Sequence, residues 1–218
     1  MTGGAGERRV ALSFDNGPEP AVTGAVLDIL AARGLAATFF VIGRKLADPA
    51  ALALVARARE QGHRIGNHTF SHSVPLGLVP PGVATEEIAA TQAALGALAP
   101  ERLFRPFGRG GALGPHLLNC EARDLLAAGG YTCVLWNAVP RDWEDPEGWV
   151  ERALAQCAAQ PHSLLVLHDL PNGAMRHLAG FLARLDAAAI AITQEIPAAC
   201  IAIDAGRITP ACADCVAA

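Results

Sequence analysis

RVALSFDNGP, residues 9–18, sets the reading of the fold. Arg9 to Phe14 is a short continuous apolar run, the pattern of a strand buried on both faces. Asp15, Asn16, Gly17 and Pro18 then break it with turn chemistry. A helical stripe follows at Val22, Val26, Ile29 and Leu30, and Gly34 ends it.

The same β-then-α alternation continues outward from this unit. Strands are expected at 37–42, 63–67, 103–104, 131–136, 163–167 and 199–203. Helices are expected at 49–61, opened by Asp48 and Pro49, at 84–98 with Thr85 as N-cap, and at 115–128, 146–159 and 174–188. Residues 73–82 and the glycine-rich stretch 108–114 read as loops. Alternation of this kind implies an α/β fold with a mostly parallel sheet covered by helices. An incomplete (β/α) barrel and an open doubly wound sheet both fit. No linker divides the chain, so one domain is expected over 10–204, between a flexible start at 1–9 and a tail at 205–218.

Composition narrows the function. Of 218 residues 52% are hydrophobic and 17% charged, which suits a folded core and not a disordered chain. A net charge of −4 without basic clusters argues against a nucleic-acid partner. Charged or polar residues interrupt every apolar run well short of the ~20 residues a membrane span needs. Residues 1–9 hold no apolar segment of secretory type, so the expected location is the cytoplasm. The six cysteines are then expected to be reduced, and the lone Cys212/Cys215 pair is weak evidence for a metal or redox site.

In either architecture, loops after the strand C-termini carry the site. The polar residues fall there: Asp15 and Asn16, His68 and His72, Arg105, Asp142, and His168 with Asp169. His68 and His72, four apart, would face one metal ion from a helical turn. Each group also has a plainer reading: Asp15 and Asn16 as a turn, Arg105 as a surface charge, Asp142 as a loop cap, His168 as a structural histidine. Aromatic residues are few, at 5%, leaving Phe107, Trp143 and Trp149 as candidates to stack on a ligand.

Taken in order, these residues resemble the polysaccharide deacetylase family, the NodB homology domain or carbohydrate esterase family 4. SFDNGP (13–18) resembles the family's TFDDGP, and HTFSH (68–72) matches H-S/T-x-x-H. RPF (105–107) resembles R-x-P-Y/F but is one residue shorter. The stretch from Trp136 to Trp143 resembles the D-x-x-D-W region, and LVLH (165–168) matches L-x-L-H. The resemblance implies a distorted β/α barrel and a metal-dependent hydrolase that removes N-acetyl groups from N-acetylglucosamine-type saccharides. It assigns Asp15 as base and His168 as acid, with Arg105 pairing Asp15 and Asp142 orienting His168. It gives His68, His72 and Asn16 to one divalent ion, zinc first, with cobalt, nickel or manganese as alternatives. The Phe107 N–H would face the oxyanion, and Trp143 the sugar. Asn16 stands where the family has a metal-binding Asp, and Val139 where it has the first Asp of D-x-x-D-W. Those departures keep open a non-catalytic carbohydrate binder on the same fold; because fold analogy supports chemistry better than substrate identity, a hydrolase of a non-sugar amide also stays open. The partner is a carbohydrate or small amide in any of these readings.

Overall fold

The computed structural model describes residues 8–217. Of the expected flexible start, residues 1–7 lie outside the described residues, and Arg9 already belongs to the first strand. The strands are β1 (Arg9–Asp15), β2 (Thr38–Val41), β3 (Arg64–Asn67), β4 (Leu103–Phe104), β5 (Thr132–Val134), β6 (His162–His168), β7 (Ala191–Thr193), β8 (Ile201–Asp204) and β9 (Arg207–Ile208). The helices are α1 (Thr23–Ala31), α2 (Pro49–Glu60), α3 (Val83–Leu95), α4 (Cys120–Ala128), α5 (Trp149–Ala158) and α6 (Leu178–Ala187).

The sheet runs β6-β1-β2-β3-β4-β5-β8-β9, parallel from β6 to β5 and antiparallel at β8 and β9. β7 pairs with the first half of β1, on the edge whose second half pairs with β2. The sheet curls, and an isolated bridge between Ala138 and Leu165 joins the chain beyond β5 to β6. The result is a distorted half-barrel, not an open sheet.

Strand parity organises both the core and the site. Val10, Leu12 and Phe14 of β1, with Leu165 and Leu167 of β6, face the helices in one cluster. Their alternates, Ala11 with Leu164, and Ser13 and Asp15 with Val166 and His168, belong to the barrel side. β1 and β6 pair in register along seven positions, so Asp15 lies opposite His168 at the last.

The start of α2 follows local chemistry, while those of α3 and α4 differ from the sequence expectation. α2 begins as expected, with Pro49 in its first turn and the Asp48 carboxylate accepting from the Ala50 N–H at 2.9 Å. Thr85 is no cap: Gly82 precedes α3, and the Thr85 hydroxyl donates to Glu121. α4 starts at Cys120 under an Asn119 cap, not at residue 115, because the Leu118 backbone is already bonded to Cys215 and Ala217. Trp149 is buried in the core, its Nε1 donating to the Ala174 carbonyl at 3.1 Å, and is unavailable to a sugar.

The closing residues pack on the fold. Cys212 and Cys215 are buried beside Leu118 and Cys133 in a second apolar cluster. All six cysteines are free, and Cys120 alone of them is exposed. Among the described residues no helix is long and apolar enough to cross a membrane.

Gly66 on β3 shows how tightly the barrel interior is filled. A Cβ there would stand 2.5–2.6 Å from the Phe40 ring. Gly66→Ala should therefore lower stability by about 1–3 kcal/mol, the usual cost of overpacking. Chemical denaturation measures this, and an unchanged midpoint would mean that Phe40 has room to move.

Candidate active site

Arg105 follows β4 and is completely buried. A guanidinium cannot sit in a barrel interior unless its charge and N–H groups are matched. Nη1 donates to Asp15 Oδ1 at 2.8 Å and to Ser13 Oγ at 2.7 Å. Nε and Nη2 donate to the Val134 and Leu135 carbonyls at 3.3 and 3.2 Å. The group lies 4.0 Å from the centre of the Phe40 ring, a cation–π arrangement. Ser13 passes the network on by donating to the Leu165 carbonyl at 2.8 Å. The shortened third motif thus still delivers its arginine to Asp15.

His68 follows β3. Its Nδ1 lies 2.8 Å from the Arg105 carbonyl, which can only accept, so Nδ1 carries the proton and Nε2 keeps its lone pair. Nε2 points toward Asp15 Oδ2, at 3.7 Å. His72 does not come from a helical turn, as the i,i+4 spacing suggested. Residues 68–73 form a loop with Thr69 and His72 at φ of 64° and 53°. Asn67 holds the loop through the Thr69 N–H, and Glu87 accepts from the N–H groups of Phe70 and Ser71. The loop brings the His68 and His72 ring centroids to 4.6 Å, and Phe107 packs against His72 in a tilted arrangement at 4.0 Å. Burial pushes both histidines down to about 3, so both are neutral electron-pair donors at neutral pH.

Asn16 has φ 73°, and its Oδ1 is buried without a hydrogen-bond partner. A plain Asx turn would have used that oxygen. With two neutral imidazoles beside it, the orphaned carbonyl fits a divalent ion's donor set. Among the described residues no cluster of three or more His, Cys, Asp or Glu has a metal-holding arrangement.

His168 is held by Asp142, whose Oδ1 pairs with His168 Nδ1 and whose Oδ2 accepts from the His168 N–H, both at 2.8 Å. Trp143 meets the imidazole edge-on at 4.7 Å. Burial by itself would lower the His168 pKa. The Asp142 hydrogen bond and charge outweigh it, Asp15 and Asp169 add to them, and the pKa is raised. Asp169 faces the other side of the strand. Its carboxylate accepts from Thr23 Oγ1 and fills the space where a Gly17 Cβ would be, and burial pushes it up to about 6.

Asp15, Asn16, His68, His72, Phe107, Trp143 and His168 line one cleft of about 320 Å3. Arg105 and Asp142 sit behind its wall. The sequence reading did not single out the rest of the lining, notably Trp136, Gly108, Arg109, Val166 and Leu170. The glycine-rich loop was visible, but nothing marked Trp136 as its support.

A polysaccharide deacetylase profile matches residues 2–119, more than half of the chain. The chain belongs to the polysaccharide deacetylase family. A chitooligosaccharide deacetylase of Rhizobium leguminosarum bv. trifolii is 35% identical over 168 residues, covering 76% of this chain and 74% of that protein. A peptidoglycan-N-acetylglucosamine deacetylase of Bacillus cereus is 31% identical over 171 residues, covering 76% and 75%. The solved structure of a Bacillus subtilis peptidoglycan deacetylase superposes with a TM-score of 0.69 at 27% identity, over 87% of this chain and 89% of that one. The family, the distorted half-barrel and the enzyme class, a hydrolase of non-peptide carbon–nitrogen bonds, are those the sequence implied.

The His168–Asp142 pair gives a pH test. A raised folded pKa contributes stability that is complete below the unfolded value near 6.5 and is lost as pH rises through the folded value. Asp142→Asn removes the raising charge and leaves the burial, so the His168 pKa should fall. NMR titration of the His168 ring reads this directly, and an unmoved pKa would exclude Asp142 as the cause.

Proposed function

We propose that the protein is a metal-dependent N-deacetylase of N-acetylglucosamine-type oligo- or polysaccharides. The observation that carries the reading is the in-register placement of Asp15 and His168 on neighbouring strands, each with a separate buried partner. One group can then take a proton while the other gives one. The named activities of the relatives, chitooligosaccharide and peptidoglycan-N-acetylglucosamine deacetylation, support the substrate class.

His68 Nε2, His72 and Asn16 Oδ1 would hold the ion, with zinc favoured by the imidazole donors. Bound there, a divalent ion supplies Lewis-acid polarisation of an amide carbonyl that is otherwise a poor electrophile. Asp15 takes a proton from the attacking water, while Arg105 fixes its orientation through Oδ1 and leaves Oδ2 toward the cleft. The Phe107 N–H is the proposed donor to the oxyanion. His168, kept protonated to higher pH by Asp142, gives its proton to the leaving amine. Trp143 packs against His168 and offers the remaining ring surface to the sugar. Asn16 and Val139, which favour a non-catalytic binder, leave this acid–base pair intact.

Acetate release from N-acetylglucosamine oligomers tests the reading. Asp15→Asn and His168→Ala should each cut kcat by at least ~10²-fold. Near-wild-type kcat in Asp15→Asn would overturn the mechanism. The ligand set is tested without turnover, by metal content after dialysis. His68→Ala and His72→Ala should lose the ion, and Asn16→Asp should bind it more tightly by adding a charge. Unchanged affinity in Asn16→Asp would remove Asn16 from the ligand set.

A further inference from the structure

A second hollow adjoins the reactive cleft at Trp136. It measures about 360 Å3 and is walled by Leu113, Asn137, Val139, Arg141 and Gln156. Gly110, Gly111, Trp136 and Val139 line both hollows, so the two adjoin across these residues.

The loop between the hollows is held by specific contacts. A Cβ on Gly108 would lie 2.5–2.6 Å from the Trp136 ring, and one on Gly111, at φ 86°, would lie 2.9 Å from Val139 Cγ1. Trp136 Nε1 donates to the Gly111 carbonyl at 2.8 Å, and Arg141 Nη2 to the Gly110 carbonyl at 3.3 Å. Val139 is therefore an apolar wall where the family's motif has an aspartate. Gln156 braces it by donating to the Val139 carbonyl, and its own Oε1 has no partner.

The charge around the two hollows opposes that of the chain. The protein carries −4 overall. Among the described residues lining the two hollows, Asp15 is the one carboxylate, and it is paired with Arg105. Arg109 is exposed on the rim of the first hollow with no acidic partner among the described residues. Arg141 lines the second; besides its bond to the Gly110 carbonyl it makes one ion pair among the described residues, an exposed one with Glu144 at 3.2 Å, the kind of contact a ligand displaces at little cost. Two guanidinium groups beside hollows without a free carboxylate attract and orient an anion.

We propose that the second hollow is a subsite for the sugar next to the one deacetylated, and that Arg109 and Arg141 make it select a sugar bearing a carboxylate. The proposal rests on the N-deacetylase reading above. A carboxylate matches the planar fork of a guanidinium, which a neutral hydroxyl does not.

Two tetrasaccharides test it on the zinc-loaded full chain. One is the neutral N-acetylglucosamine tetramer. The other alternates N-acetylglucosamine with N-acetylmuramic acid, whose lactyl ether carries a carboxylate. kcat/KM should favour the acidic tetramer by at least about tenfold at low salt, on the scale of one charge-assisted hydrogen bond. The ratio should shrink toward one at about 1 M salt and in Arg109→Ala, and narrow in Arg141→Ala. A ratio near one in the wild type, or a ratio untouched by both variants, overturns the subsite. Calorimetric binding of both tetramers to Asp15→Asn repeats the comparison without turnover. Acetate from neither tetramer would overturn the deacetylase reading, while the calorimetric ratio would still decide the subsite.

Discussion

The buried contact between Arg105 and Asp15 is the constraint around which the barrel interior is arranged. A guanidinium without exposed surface has to find its charge and its acceptors inside the protein. They come from β1 through Ser13 and Asp15, from the end of β5 through Val134 and Leu135, and from β2 through the face of Phe40. Removing one member of such a pair costs about 3–5 kcal/mol, because the other is left buried and unmatched. The pair therefore ties the strands to one another and fixes one carboxylate oxygen, leaving the second for chemistry.

The remaining polar groups are held by the same economy. Each reactive atom is defined by what its other atoms are already bonded to. His68 gives Nδ1 to the Arg105 carbonyl and keeps Nε2. His168 gives Nδ1 to Asp142. The left-handed conformation of Thr69 and His72 costs about 1–2 kcal/mol at each residue. Hydrogen bonds from the loop backbone to Asn67 and Glu87 offset that cost and aim His72 inward. Asn16 Oδ1 is a buried oxygen with nothing bonded to it, as are Thr69 Oγ1 and Asp169 Oδ1 nearby, but of the three residues Asn16 alone lines the cleft with both histidines. An acceptor free beside two neutral imidazoles is the donor set the proposed ion would use.

Much of this architecture was legible in the sequence because the signals are local. Continuous apolar strands, the Asp48–Pro49 helix start and polar residues after strand ends are properties of short segments. The places where local reading failed are those where distant backbone intervenes. Residues 115–119 look helical, but Leu118 is claimed by the closing segment. β7 and β9 are too short to give a periodic signal, and they exist because β1 and β8 offer an edge.

The residue types of the site, their order and the family to which they belong are written in the sequence, since each motif is a few residues long and sits at a strand end. Their arrangement in space is not. That Arg105, from a motif one residue short, still reaches Asp15 depends on the curled sheet that brings the end of β4 and the end of β1 to one interior. That His72 joins His68 through a left-handed loop depends on Asn67 and Glu87. That Trp149 is core while Trp136 lines the cleft depends on which side of the curled sheet each faces. These are consequences of register and close packing between segments far apart in the chain, and only the tertiary structure brings such segments within bonding distance.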